Sequence, residues 1–241
     1  MSVRPYLRSP VAIGWTLVGA VAIGTVVAAA LRLAALAERS TLVADPATAV
    51  GGFGFVLTLA FATVTIAVAA LVWLPCSLAV AHAVGNRHRG RSVSIGESID
   101  RVSSRVEPMY RWVKTRIAIE PIADRVLSEN DVSPAEVAVG CDAFVVPAMA
   151  LDAPTLRMAV DRANRAIPRP GRERTLLVGI GLTGLLVAGA VGTGAVGGAA
   201  VPSVEVLALG ATVLGAVLTA ALDTAWRAGV YARQDPDEGF N

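Results

Sequence analysis

Uncharged apolar runs, rather than periodic stripes, dominate this chain. The first, Val11–Leu31, contains no Asp, Glu, Lys or Arg. At 1.5 Å rise per residue it covers about 30 Å, the hydrocarbon thickness of a bilayer, and it predicts a membrane-spanning helix. A cleaved signal peptide competes with that reading, because Ala28, Ala29 and Ala30 stand at the end of the run. The run is longer than the roughly 7–15 apolar residues of a signal-peptide core, which favours retention. The second run, Thr48–Val84, is too long for one perpendicular span. A tight hairpin of two spans would fit it, as would one long tilted helix that protrudes from the bilayer. No turn cluster interrupts Ala60-Phe61-Ala62-Thr63-Val64-Thr65, so one helix is preferred, with its span near 52–80. Pro75 is expected to kink it or to mark where it leaves the hydrocarbon. The third and fourth runs, Leu176–Ala200 and Val204–Leu222, flank the short turn Val201-Pro202-Ser203 and predict an antiparallel hairpin. Glu205 falls at its outer mouth and Asp223 at its inner end, where both reach interfacial water.

The pattern changes between 85 and 175, the only long polar region. Ser94-Ile95-Gly96-Glu97 has the capping-box pattern, and Ile99, Val102, Val106, Met109 and Val113 follow at helical spacing. Pro108 is expected to break that helix in two. Tyr110, Trp112, Ile117 and Ile119 alternate with Arg111, Lys114 and Arg116, a basic amphipathic segment suited to the headgroup region. The alternative is packing against the other helices of the insert. A span here would bury Arg111, Lys114, Arg116, Glu120, Asp124 and Arg125, at roughly 2.5–3.5 kcal/mol for each charge near the centre. A second capping box, Ser133-Pro134-Ala135-Glu136, opens Val137–Leu151, which is apolar except for Asp142 and interrupted by Pro147. It is short for a span and fits a shallow, re-entrant or buried helix better. Asp152-Ala153-Pro154 should start another helix, with Leu156, Ala159, Val160, Ala163 and Ile167 as its apolar stripe. Arg157, Asp161, Arg162 and Arg165 form its wet face, and Pro168 and Pro170 end it.

Arginine placement sets the orientation, because cytoplasmic loops are enriched in cations. Arg4 and Arg8 precede the first run, Arg87-His88-Arg89-Gly90-Arg91 follows the second, and Arg227 and Arg233 follow the fourth. The 39–47 link carries only Arg39 against Asp45, with Glu38 beside it. Four spans put the three basic segments on one side, which predicts cytoplasmic N- and C-termini in a multi-pass plasma-membrane protein. The expected architecture is therefore all-α and polytopic. An N-terminal membrane pair (1–84) precedes a helical cytoplasmic or interfacial insert of about ninety residues (85–175). A transmembrane hairpin (176–223) and a cytoplasmic tail (224–241) complete it.

Composition sharpens this picture. Hydrophobic residues make up 54% of the 241 and charged residues only 17%, far from the roughly 25% charged of an ordinary domain. A net charge of +2 excludes an electrostatic nucleic-acid binder. Cys76 and Cys141 suggest neither a disulfide framework nor a zinc site. His82 and His88 are isolated imidazoles and give no metal set. Gly179-Ile180-Gly181-Leu182-Thr183-Gly184 reads as GxGxxG, but it lies in an apolar run with no strand before it, so no dinucleotide site follows. Asp142, Asp152 and Asp223 are the only acids that could serve a membrane enzyme, and they form no constellation. No catalytic, cofactor or metal residue is therefore assigned. Gly194 and Gly198, at GxxxG spacing, and Gly210 and Gly215 on the fourth run are expected to pack helices, within the hairpin or in a homodimer. Arg87, Arg89, Arg91, Arg111 and Trp112 are expected to contact lipid headgroups, at about 1 kcal/mol per cation near an anionic surface. The blander reading of the Arg87–Arg91 run is a topology signal alone.

Several short segments occur in a suggestive order. Ser77-Leu78-Ala79-Val80-Ala81-His82-Ala83 precedes Gly90-Arg91-Ser92-Val93-Ser94-Ile95-Gly96-Glu97-Ser98-Ile99. Val145-Val146-Pro147 and Asp152-Ala153-Pro154 follow, and Ala221-Leu222-Asp223-Thr224-Ala225-Trp226-Arg227-Ala228-Gly229-Val230-Tyr231-Ala232 closes the series. Over residues 70–233 this resembles a broad prokaryotic family of uncharacterised multi-span integral membrane proteins, akin to the membrane domain attached to some glycerophosphodiester phosphodiesterases. The resemblance implies more spans than four, and the family is hydrophobic where this chain carries the charges of 107–129. It implies no catalytic residue. The expectation is thus a non-enzymatic scaffold or accessory protein at the cytoplasmic face, with the bilayer and a cytoplasmic protein or a second copy as partners. A transporter or permease-like component for a small solute or lipid is the alternative.

Overall fold

The computed structural model describes residues 3–39, 50–127, 144–166, 171–196 and 203–234. These form eight helices: α1 (Val3–Leu7), α2 (Pro10–Arg39), α3 (Val50–His88), α4 (Ile95–Leu127), α5 (residues 144–151), α6 (Leu156–Arg165), α7 (Arg172–Val196) and α8 (Val204–Tyr231). Among the described residues there is no strand. Four helices are long and apolar enough to cross a membrane: Pro10–Leu36, Thr58–His88, Arg172–Thr193 and Val204–Tyr231. The fold is therefore all-α with four candidate spans. Leu17, Val21, Val64, Ile66, Ile180 and Leu185 point outward from the spans, the arrangement a hydrocarbon solvent favours.

The long second run is one helix, uninterrupted at Pro75. At 1.5 Å rise its 39 residues measure about 58 Å, nearly twice a hydrocarbon core. Proline removes one intrahelical donor and leaves the carbonyl four residues back without its partner. That carbonyl belongs to Leu71, and the Tyr110 hydroxyl of α4 donates to it at 3.2 Å. The Pro75 defect is thus a docking point for α4. Leu71 lies seventeen residues before the end of α3, so α4 runs back along α3 for about 25 Å.

One local expectation is corrected. Pro108 does not divide α4, which is continuous over 33 residues. One missing N–H is a small loss where the next residue, Met109, is fully buried and pins the helix. Pro147 stands in the first turn of the described helix 144–151, whose Phe144, Val145, Ala148, Met149 and Ala150 are fully buried, and residues 137–143, on the other side of the expected interruption, lie outside the described residues. α6 follows Asp152-Ala153-Pro154 as expected and begins at Leu156, with Thr155 as its cap accepting from the Met158 N–H, while Asp152 forms ion pairs. The capping box of α4 is present: the Ser94 N–H donates to Glu97 Oε2 at 2.7 Å and the Glu97 N–H to Ser94 Oγ at 3.2 Å. The box at 133–136, Asp142, Ile167 and the turn at 201–202 lie outside the described residues.

Packing concentrates at one end of the bundle. Tyr6, Val11 and Ala12 meet Val80, Ala83 and Val84 of α3 and Ala221, Leu222 and Ala225 of α8. The Tyr6 hydroxyl donates to Thr16 Oγ1 at 2.8 Å, and Thr16 donates on to the Ala12 carbonyl. A second cluster joins α3, α5, α6 and α8, with Met109 as its deepest α4 residue. The inserted helices are therefore built onto the bundle rather than hanging from it.

Candidate functional site

The polar groups gather at that same packed end. The α3 C-terminus closes in a Schellman turn, in which the Arg91 N–H donates to the Asn86 carbonyl at 2.9 Å and the Gly90 N–H to the Arg87 carbonyl at 3.2 Å. Gly90 takes φ +76°, a conformation that carries a steric penalty for side chains with a Cβ. This turn aims Arg89 at the α5–α6 junction. Its two terminal nitrogens meet the two Asp152 oxygens at 2.6 and 2.7 Å, a bidentate pair between residues 63 apart in sequence. Arg162 of α6 stands 4.0 Å from Asp152, and the Tyr231 hydroxyl of α8 also donates to it. One carboxylate thereby joins α3, α6 and α8.

Burial pushes the Asp152 carboxyl up. The hydrogen bonds and charge of Arg89, the charge of Arg162 and the Tyr231 hydroxyl outweigh it, leaving the group below its ordinary value. The hydrogen bond to Asp152 conversely raises Arg89. Nearby, Arg101 reaches the Leu151 carbonyl at 3.4 Å and Arg105 donates to the Pro154 carbonyl, so α4 also grips the α5–α6 junction. Burial lowers Arg101.

A second acid works similarly. Asp223 of α8 accepts from Arg172 Nε at 2.9 Å and pairs with Arg227, which fastens the start of α7 to α8. Asp223 is thus ion-paired at the end of the hairpin, where interfacial water had been expected to serve it. Higher in the hairpin the helices interlock through glycine and threonine. A Cβ at Gly179 would meet Thr219 Oγ1 at 2.6 Å, and one at Gly215 would meet Thr183 at 2.5 Å. Each threonine donates to the carbonyl of the glycine four residues before it, at 2.9 Å for Thr183 and 2.8 Å for Thr219.

The expected packing glycines divide accordingly. Gly215 is at the interface, Gly210 faces open space with nothing within 4 Å, Gly194 lies in α7, and Gly198 is outside the described residues. The missed signal was Gly-x-x-x-Thr: Gly179–Thr183 on α7 and Gly215–Thr219 on α8 are reciprocal across the hairpin, whereas Gly189–Thr193 of α7 has the same spacing and Gly189 meets nothing within 4 Å. The expected headgroup residues divide too. Arg87 and Arg91 are exposed, and Arg89 is half-buried against Asp152. Arg111 is exposed and 2.6 Å from Glu107, while Trp112 packs on the core cluster. The link from Arg89 to Asp152 had no sequence signal, because nothing local relates two residues so far apart. Among the described residues no group of three His, Cys, Asp or Glu side chains is placed to hold a metal.

Fold and site together define a class: an all-α bundle with four membrane-length helices and a helical insert ion-paired to its charged end. No protein-family model, no curated protein and no solved structure matches the chain.

Proposed function

We propose that this is a multi-pass membrane protein of the cell membrane whose termini and insert face the cytoplasm. There it acts as a non-enzymatic scaffold or accessory protein. Arginine asymmetry supports the orientation, since Arg4, Arg8, Arg87, Arg91 and Arg233 flank one end of the spans. One observation carries the function. The insert is seated on the bundle by Arg89–Asp152 and by α5, buried at every described position but the partly buried Val146, so its outer face is a fixed platform. Arg87, Arg91 and Arg157 are exposed around it. A rigid basic platform beside a bilayer suits an acidic partner surface or anionic headgroups, and orders little on binding.

The test is co-purification of the full-length protein from its native membranes, comparing wild type with the Arg87→Glu, Arg91→Glu, Arg157→Glu triple variant. The reading expects at least one stoichiometric partner to be lost from the variant. An unchanged partner set would sink it. The transport alternative draws on the Gly-rich α7, and a crevice of about 600 Å³ does open between α7 and α8. Leu176, Ile180 and Ala216 make its wall mainly apolar, which suits a lipid chain better than a solute path.

A further inference from the structure

A cleft of about 610 Å³ opens at the foot of α3, between its last turns and the start of α4. His82 and Asn86 of α3, Arg91 of the Schellman turn, and Glu97, Asp100 and Arg101 of α4 are in its wall. Its charges are two cations and two carboxylates, so the cleft is polar without being net acidic or basic. The backbone fixes their positions. The Schellman turn sets Arg91, the capping box sets Glu97, and Arg101 is held by the Leu151 carbonyl. Neither Arg91 nor Asp100 has a side-chain ion pair among the described residues, so both remain available.

Two further observations point to a binding role. His82, only 7% exposed, has no hydrogen-bond partner for Nδ1 among the described residues. An unsatisfied buried polar atom is uncommon in a folded protein and calls for an explanation. The cleft also sits at the charged end of the candidate span Thr58–His88, the level of lipid headgroups.

Paired opposite charges without net charge select a small zwitterion. We propose that this cleft binds a phosphoethanolamine group, with the phosphate held by Arg91 and Arg101 and the ammonium by Asp100 and Glu97. Arginine is suited to phosphate through its fork of donors, and a primary ammonium can donate to carboxylates where a quaternary one cannot. The group could come from an aminophospholipid headgroup or from free phosphoethanolamine. The proposal rests on the reading that this end of the bundle lies at a membrane surface.

The test uses the full-length protein in detergent, incubated with equimolar phosphatidylethanolamine, phosphatidylcholine and phosphatidylglycerol. Retained lipid is read by native mass spectrometry. Wild type should retain the ethanolamine lipid about tenfold over the others, the discrimination of one charge-assisted hydrogen bond. Arg91→Gln should lose that retention, and Asp100→Asn should lose the preference over phosphatidylglycerol. Both side chains are exposed and make no side-chain hydrogen bond or ion pair among the described residues, so the variants should fold. Displacement by millimolar free phosphoethanolamine would support the soluble source, and lipid retention despite it the membrane source. Equal retention of all three lipids by wild type, or unchanged retention in both variants, would overturn the proposal. Because the measurement is made in detergent, it can fail while cysteine labelling at Arg157→Cys still places the insert at the cytoplasmic surface.

Discussion

At the residue scale, two contacts carry consequences that single substitutions can measure. Pro75 frees the Leu71 carbonyl and Tyr110 satisfies it, so the two side chains should be energetically coupled. Tyr110→Phe should destabilise the wild type by about 1 kcal/mol and have almost no effect in a Pro75→Ala background, where an N–H returns to Leu71. Denaturant melts of the four proteins of that cycle give the coupling directly, and additive effects would contradict it. Asp152 offers a pH test. Its folded-state pKa lies below its ordinary value, so its contribution is fully present above about pH 4. As pH falls below that toward the folded value, the contribution is lost and the α3–α6–α8 junction weakens. Asp152→Asn should cost about 1–3 kcal/mol at pH 7, because Arg89 stays half-buried without its carboxylate. The variant should also show a flatter acid limb in melts between about pH 2 and 5. An unchanged acid limb would mean that other carboxylates dominate.

At the element scale, the α7–α8 hairpin is a close-approach interface in which glycine position, not glycine number, matters. Gly215→Ala puts a methyl within 2.5 Å of Thr183 and should destabilise the hairpin by about 1–3 kcal/mol. Gly181→Ala and Gly210→Ala meet nothing within 4 Å and should be neutral or slightly stabilising in the helix. Unfolding in mixed micelles separates the two classes, and equal effects would refute the interlock. The same logic reaches α5. A Cβ on Gly85 would strike Leu151 at 2.6 Å, so α5 lies against the last turns of α3 only because that position has no side chain. Capping was readable in advance at Ser94–Glu97, since a capping box is a local motif, and the Schellman glycine stands in a local Arg-Gly-Arg context. The glycine contacts were not readable, because GxxxG spacing says that a helix can pack without saying which face does.

At the scale of the whole molecule, α4 poses the sharpest question. It carries Glu107 and Arg111 beside the lower half of α3, and charges facing hydrocarbon near the bilayer centre cost roughly 2.5–3.5 kcal/mol each. Water or headgroups must therefore reach this face. In a cysteine-free background, Arg111→Cys and Arg157→Cys should react with an impermeant maleimide only after permeabilisation, and Glu205→Cys should react in intact cells. Protection of Arg111→Cys under both conditions would place α4 in the hydrocarbon and favour the architecture with more spans. Labelling of Arg157→Cys in intact cells would reverse the proposed orientation.

Local chemistry made much of this molecule legible. Uncharged runs of sufficient length determined four membrane-length helices, because a bilayer requires an apolar segment of a definite length with its backbone satisfied internally. The lack of a turn signal determined that the second run is one helix, and Ser94 with Glu97 determined where α4 begins. Tertiary structure alone decided what joins them. Asp152 reads as a helix start until Arg89 arrives from 63 residues away. Pro108 reads as a break until burial of Met109 holds the helix together. Pro75 reads as a kink or an exit point, and only the fold shows that Tyr110 supplies the donor that proline lacks. Segment length and capping depend on neighbours in sequence, whereas ion pairing, close approach and the rescue of an orphan carbonyl depend on neighbours in space.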